Sequence, residues 1–291
     1  MSSENRLFYE YAYVTFVVGD FIAFESFLTD KEKTNLKEII FFGNRNNDND
    51  ARYHLIKKSI FYNRKIKITM LPRINKKHIG FTRERSSLLK NYMSNNLNLA
   101  NNKYKMLIDY RFYNHNDEYK KIIENQNLKN YSFVKQKLCE VDKFKLPQEY
   151  ISISGWTYDI ICNSKRLFNI EDWHETIKIL KSNNIKGVIL NNQKWYLDNL
   201  WFQEILKEDC FINLIGETNY FEAIEIVKNS KGFIGIDSSL SIIATQALQE
   251  KSIIIKTNNG SLAHRLFNYY YSNLKTKDCL VEQIKLNKFN I

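Results

Sequence analysis

Three short polar residues, Asp237, Ser238 and Ser239, directly follow the apolar run Gly232 to Ile236. Small oxygen-bearing side chains at such a place are favoured helix N-caps. Ile242, Ile243, Ala244, Ala247 and Leu248 give the next segment a helical apolar stripe, and Ser252 to Ile255 reads as a further strand. A helix that starts just past the carboxyl end of a parallel strand turns free N–H groups and the positive end of its dipole toward an anion. The chemistry this spacing could do is therefore the holding of a phosphate or carboxylate. An ordinary strand–helix junction with a capping Asp shows the same pattern.

Upstream, Phe211 to Ser230 reads as a second strand, turn and helix. The stretch from Leu214 to Leu248 resembles the carboxyl-terminal donor domain of the heptosyltransferase family of glycosyltransferases. That family has a strand ending in Gly, a helix, then a strand running into Asp-Ser/Thr-Gly and another helix. Arg166, seven residues before Trp173, resembles the family's basic residue ahead of an aromatic at the first helix of this domain. Gly19-Asp20, after the expected strand Tyr13 to Val18, is similar to the family's Gly-Asp pair. The resemblance extends over about 151–267 and in the first half is confined to Gly19-Asp20.

The resemblance implies an α/β protein of the GT-B type, two Rossmann-like β/α/β domains facing each other across a cleft. It implies a nucleotide-diphosphate sugar as co-substrate, no bound cofactor, and metal-independent inverting displacement. Asp20 takes the part of the catalytic base, with Gly19 letting the backbone approach a ligand closely; an N-cap for a helix from Phe21 is the competing role. Arg166 faces the donor phosphates, with Lys165 in its place if the register shifts by one; both also fit a solvated loop. Asp237 and Ser238 hold sugar and diphosphate, and Glu217 meets the nucleoside or merely favours a helix dipole. Hydroxyls of Ser152, Ser154 and Thr157 are expected to line the same cleft. The chain departs from the family at Ser239, where Gly is usual, and at Ile242, where His is usual.

The elements that must position these residues follow from the β–α alternation. A segment with one of only two prolines, Phe144 to Tyr150, divides the chain into an expected acceptor-binding domain, 1–145, and a donor-binding domain, 146–291. In the second, strands are expected at Tyr150–Ile153, Lys186–Leu190, Phe211–Ile215, Gly232–Ile236 and Ser252–Ile255. Helices are expected at Glu171–Lys181, Leu197–Lys207, Tyr220–Asn229 and Leu240–Gln249, with Gly155 and Arg166 in a loop. Such alternation calls for a parallel sheet covered on both faces. In the first, strands are expected at Tyr13–Val18, Glu38–Phe42, Lys65–Met70 and Lys105–Tyr110.

With 291 residues, 44% hydrophobic and only 9 glycines, the chain has material for two cored domains and no long flexible linker. The net charge of +11 is concentrated. Residues 51–90 carry twelve Lys or Arg and one acid, Glu84, which accounts for the whole excess. Such a segment suits an anionic partner. Two acceptors fit: a phosphorylated or acidic lipid-linked glycan, as in lipopolysaccharide biosynthesis, met by peripheral contact at the inner membrane face, or DNA with hydroxymethylated bases, as for phage enzymes. Two rival readings are a catalytically dead glycosyltransferase-like binding module, which Ser239 and Ile242 suggest, and a nucleic-acid-binding protein whose α/β fold is incidental. The five histidines have no metal-ligand spacing and no metal is expected. Cys139, Cys162, Cys210 and Cys279 are scattered, which fits the reducing cytoplasm. No signal peptide or membrane span is expected.

Overall fold

The computed structural model describes residues 11–13, 36–43, 67–72, 91, 95, 106–108, 137–159, 164–191, 194–236, 238–248 and 252–255. The chain forms two compact units, Met1–Phe133 and Val134–Ile291. The expected dividing segment, 144–150, lies within the second unit, and the residues just before it are tied there too. The Leu138 N–H donates to Glu225 Oε1 at 2.6 Å, and Lys143 Nζ lies 2.7 Å from Glu222 Oε1.

In the first unit, β1 (Tyr11–Tyr13), β2 (Glu38–Gly43), β3 (Lys67–Pro72) and β4 (Met106–Ile108) form a sheet in the order β3-β2-β1-β4. Every pairing is parallel. Chain progress from β1 to β3 runs one way, and β4 is added on the other side of β1. β1 therefore sits at the point where strand order reverses.

The second unit holds β5 (Tyr150–Ser154), a β6–β7 hairpin (Trp156–Asp159 and Ser164–Leu167), and β8 (Lys186–Ile189), β9 (Phe211–Asn213), β10 (Gly232–Ile236) and β11 (Ser252–Ile255). Its parallel sheet has the order β11-β10-β5-β8-β9. The helices are α1 (Ile170–Ser182), α2 (Leu200–Ile205), α3 (Tyr220–Asn229) and α4 (Ser239–Ala247). The path runs outward from β5 through β8 to β9, then returns past β5 to β10 and β11. Right-handed crossovers put α1 and α2 on one face and α3 and α4 on the other. The order reverses between β5 and β10.

The core is aromatic on the α1–α2 side. Trp156, Phe168, Trp173 and Phe202 are fully buried, with Tyr196 all but so. Trp156 stacks on Tyr196 at 4.6 Å between centroids, and Phe168 meets Trp173 edge-on at 5.2 Å. Pairs of this kind add about 0.5–1.5 kcal/mol each beyond burial. The indole N–H of Trp173 donates to Tyr196 Oη at 3.3 Å, whose own hydroxyl donates to the Phe168 carbonyl at 2.8 Å. Burial pushes the Tyr196 phenol up to about 12, against the Trp173 hydrogen bond. Gly155 makes room for this cluster: a Cβ there would come within 2.5 Å of the Trp173 ring.

Two expectations are corrected. The helix expected at Leu197–Lys207 is a 3-10 segment, Lys194–Asp198, followed by the short α2. The break turns Tyr196 inward onto Trp156, and Asn199 Nδ2 ties it off by donating to the Tyr196 carbonyl at 2.9 Å. The loop expected around Gly155 and Arg166 is the antiparallel β6–β7 hairpin.

Candidate donor site at the carboxyl edge of the second sheet

In open α/β sheets, ligands bind outside the carboxyl ends of the strands where strand order reverses. Here those ends are Ser154-Gly155, where β5 ends, and the residues after Ile236 of β10. The two strands are paired through Gly235 and Ser154. Beyond β5 the chain enters the hairpin that carries Lys165 and Arg166. Beyond β10 it enters α4.

The start of α4 is built by serines. Ser238 is the N-cap, and its Oγ accepts the N–H of Ser241 at 3.3 Å. Its carbonyl accepts the N–H of Ile242 at 3.2 Å. Ser241 Oγ, fully buried, donates back to the carbonyl of Ile236, which fastens the helix to the end of β10. The first turn has no acidic residue. The N–H groups of Ser239 and Leu240 are then left without partners within the helix, beside the positive end of the dipole.

The start of α3 is different. Asn219 and Glu222 form a reciprocal capping box: Asn219 Oδ1 accepts the N–H of Glu222 at 3.0 Å, and the Glu222 carboxylate accepts the N–H of Asn219 at 2.8 Å. Burial opposes ionisation of Glu222, but the Lys143 ammonium and the Asn219 N–H outweigh it and hold the carboxyl below its usual range. The protein's own carboxylate already occupies that helix end. Asn169 and Asp172 do the same for α1. Of these three capped helix starts, only that of α4 is capped without a carboxylate among the described residues.

The expected site residues fall as follows. Ser238 and Ser239 are the N-cap and first residue of α4, both half-buried. Arg166 lies on β7 as the cross-strand partner of Thr157, and Lys165 as that of Tyr158, so neither is on a loop. Glu217 is exposed in the turn after β9, on the same edge of the sheet. It is not in the first turn of α3, where Glu222 stands. Gly216 has φ 75, and the stem of Lys194 lies over its α-carbon. Ser152 does not line a cleft: it is fully buried, with its Oγ 2.9 Å from Ser230 Oγ. Ser154 is buried as well. Ile242 packs into the interior, 7% exposed, so its side chain serves the core. Gly19, Asp20 and Asp237 lie outside the described residues, although β1, which Gly19-Asp20 follows, is the reversal strand of the first unit.

The hairpin and Lys194 were missed. The alternation Trp156-Thr-Tyr-Asp159 is the signal that could have given the hairpin. A third oversight bears on metal. The metal-free expectation also takes the chain to have no Asp-x-Asp motif, and this is corrected: Asp48-Asn49-Asp50 is one, in the first unit and outside the described residues. Among the described residues no cluster of His, Cys, Asp or Glu could hold a metal ion, and no helix is long and apolar enough to cross a membrane.

The family model described as glycosyltransferase family 9 (heptosyltransferase) matches residues 51–259. Among solved structures, the glycosyl transferase family 9 protein of Veillonella parvula DSM 2008 aligns at 10% identity and TM-score 0.49, covering 96% of both chains. The iron-containing dodecameric glycosyltransferase TibC of enterotoxigenic E. coli H10407 aligns at 12% identity and TM-score 0.41, covering 85% of this chain. This chain spans 57% of the length of TibC. No curated protein matches the sequence.

Proposed function

The chain belongs to glycosyltransferase family 9, whose fold is GT-B, and on that premise we propose that it moves a sugar from a nucleotide-diphosphate sugar to an anionic glycan acceptor. The observation that carries the reading is the family match over 51–259, which takes in the reversal point of the second sheet and the start of α4. The diphosphate lies against the free N–H groups of Ser239 and Leu240, with Asp237 and Ser238 holding the sugar side. Glu217 lies three strand spacings from β10 on the same edge, roughly 14 Å, the scale of a nucleoside diphosphate. That separation supports the nucleoside at Glu217.

Transfer is a direct displacement with inversion. Asp20 takes the proton from the acceptor hydroxyl, whose oxygen forms the new bond to the anomeric carbon. The bond from that carbon to the diphosphate oxygen breaks, and its electron pair leaves with the nucleoside diphosphate. Charge builds on that oxygen in the transition state, so prearranged positive potential there lowers the barrier most. Arg166 and the α4 dipole supply it. The basic segment 51–90 draws the acceptor, for which an acidic, lipid-linked glycan is the proposed type. No metal takes part, and full turnover in excess EDTA is expected; the Asp48-Asn49-Asp50 triplet makes that experiment decisive.

A thermal-shift panel of nucleotide sugars, starting with nucleotide-activated heptoses because of the family description, tests the reading. A donor at 100 times its dissociation constant adds about 2.7 kcal/mol of apparent stability. A flat response across the panel sinks the proposal.

A further inference from the structure

Tyr220 opens α3 and Ser239 opens α4, and both stand at the carboxyl edge of the second sheet. The Tyr220 hydroxyl is buried and has no hydrogen-bond partner. Buried polar groups are nearly always paired, and one left unpaired costs the desolvation of that group. Among the described residues one other buried side-chain oxygen is in that position, Ser252 Oγ, at the opposite, amino-terminal edge.

α3 and α4 pack against each other, and Ser239 is the first residue of α4. Burial pushes the Tyr220 phenol well above its ordinary range, and the Ser239 hydroxyl pulls it partly back. Even so, the two oxygens do not meet in a hydrogen bond, since Tyr220 Oη stays unpartnered. Ser239 is half-buried at the first position of α4. A serine hydroxyl turns readily, and can accept from one partner while it donates to another.

We propose that Tyr220 is a positioning residue of the donor site, acting through Ser239. When a diphosphate occupies the start of α4, the Tyr220 O–H donates to Ser239 Oγ, and the serine O–H donates to a diphosphate oxygen. The hydroxyl left unsatisfied in the free protein is satisfied in the bound one, and that difference favours the bound state. The proposal rests on the donor-site reading above and adds to it the role of Ser239, the position at which this chain carries a hydroxyl in place of the usual glycine. A phenylalanine would fill the same space equally well if Tyr220 served packing alone.

The test is calorimetric titration with inorganic pyrophosphate, ADP, GDP, UDP and CDP of four proteins: wild type, Tyr220→Phe, Ser239→Ala and the double variant. On whichever probe the wild type binds, Tyr220→Phe is expected to weaken binding about tenfold, the upper end of the range for a hydrogen bond between neutral groups. Ser239→Ala does the same, and the double variant is no weaker than Ser239→Ala alone. Unliganded Tyr220→Phe melts no lower than wild type, because an unpaired buried hydroxyl has been removed. Unchanged affinity in Tyr220→Phe overturns the inference and leaves the donor site standing. So does an equal loss from Tyr220→Phe in the Ser239→Ala background, which would mean the phenol acts independently of the serine. A wild type that binds none of the five probes overturns the donor site and the inference together.

Discussion

Ser238 Oγ lies 3.1 Å from Ser241 Oγ and accepts the Ser241 N–H, so α4 is capped by neutral hydroxyls while α1 and α3 are capped with the help of carboxylates. This difference separates the stability of the helix from its capacity for an anion. In Ser238→Asp the cap is retained, since Asp caps as well as Ser, and the dipole gains about 0.3–1 kcal/mol. The same carboxylate repels a diphosphate. The expected outcome is an unchanged or higher melting temperature with nucleotide affinity reduced at least about tenfold, roughly 1.4 kcal/mol. Unchanged affinity would move the diphosphate elsewhere.

Glu222 gives a pH signature to the opposite arrangement at α3. Its carboxyl is held below the unfolded value by Lys143 and Asn219 despite burial. A lowered folded pKa contributes stability that is full above the unfolded value of about 4.3 and is lost as pH falls below it. Glu222→Gln should therefore melt lower than wild type at neutral pH, and the gap should close in the acid range below that value. A gap that is constant with pH would mean that the carboxylate charge does not matter.

Asp20→Asn is expected to abolish transfer while keeping donor affinity. The amide keeps the size and can still cap a helix but cannot take a proton. Single-turnover rates check this. A variant with more than about a tenth of wild-type turnover, a barrier change under roughly 1.4 kcal/mol, would remove Asp20 from the role of base.

Replacing Lys57, Lys58, Lys76 and Lys77 with Glu should raise the acceptor KM and spare the donor KM. These residues lie in the segment that carries the whole charge excess, and the donor residues lie beyond position 151. Exposed charges act over about 8–10 Å at ordinary ionic strength. Wild-type acceptor KM should therefore rise steeply with salt and that of the variant much less. Equal slopes would make the segment a solvated surface and favour a neutral acceptor.

Local signals were legible in the sequence and compensated packing was not. Gly232–Ile236, Tyr220–Asn229 and Ser252–Ile255 have the bounds expected of them. Their ends are set by nearby groups, Asn219 before α3 and Ser238 before α4. The strand expected to run to Ile215 stops at Asn213, because Asn213 Oδ1 accepts the Ile215 N–H at 3.0 Å and starts a turn. The β6–β7 hairpin exists because Trp156 is drawn under Tyr196 and Trp173, contacts that span up to forty residues of sequence. Which of two similar helix starts is closed by a carboxylate was equally hidden. Glu217 and Glu222 look alike in sequence, and only folding puts one in an exposed turn and the other in a cap against Lys143.

The central claim is that a nucleotide sugar binds at the start of α4, and calorimetry of wild type beside Asp237→Ala tests it most directly. The account predicts that wild type binds at least one nucleotide sugar of the panel, and that Asp237→Ala weakens that binding while circular dichroism and melting temperature stay near wild type. Identical affinity in the two proteins, or no binding of any nucleotide sugar by a folded wild type, would contradict it.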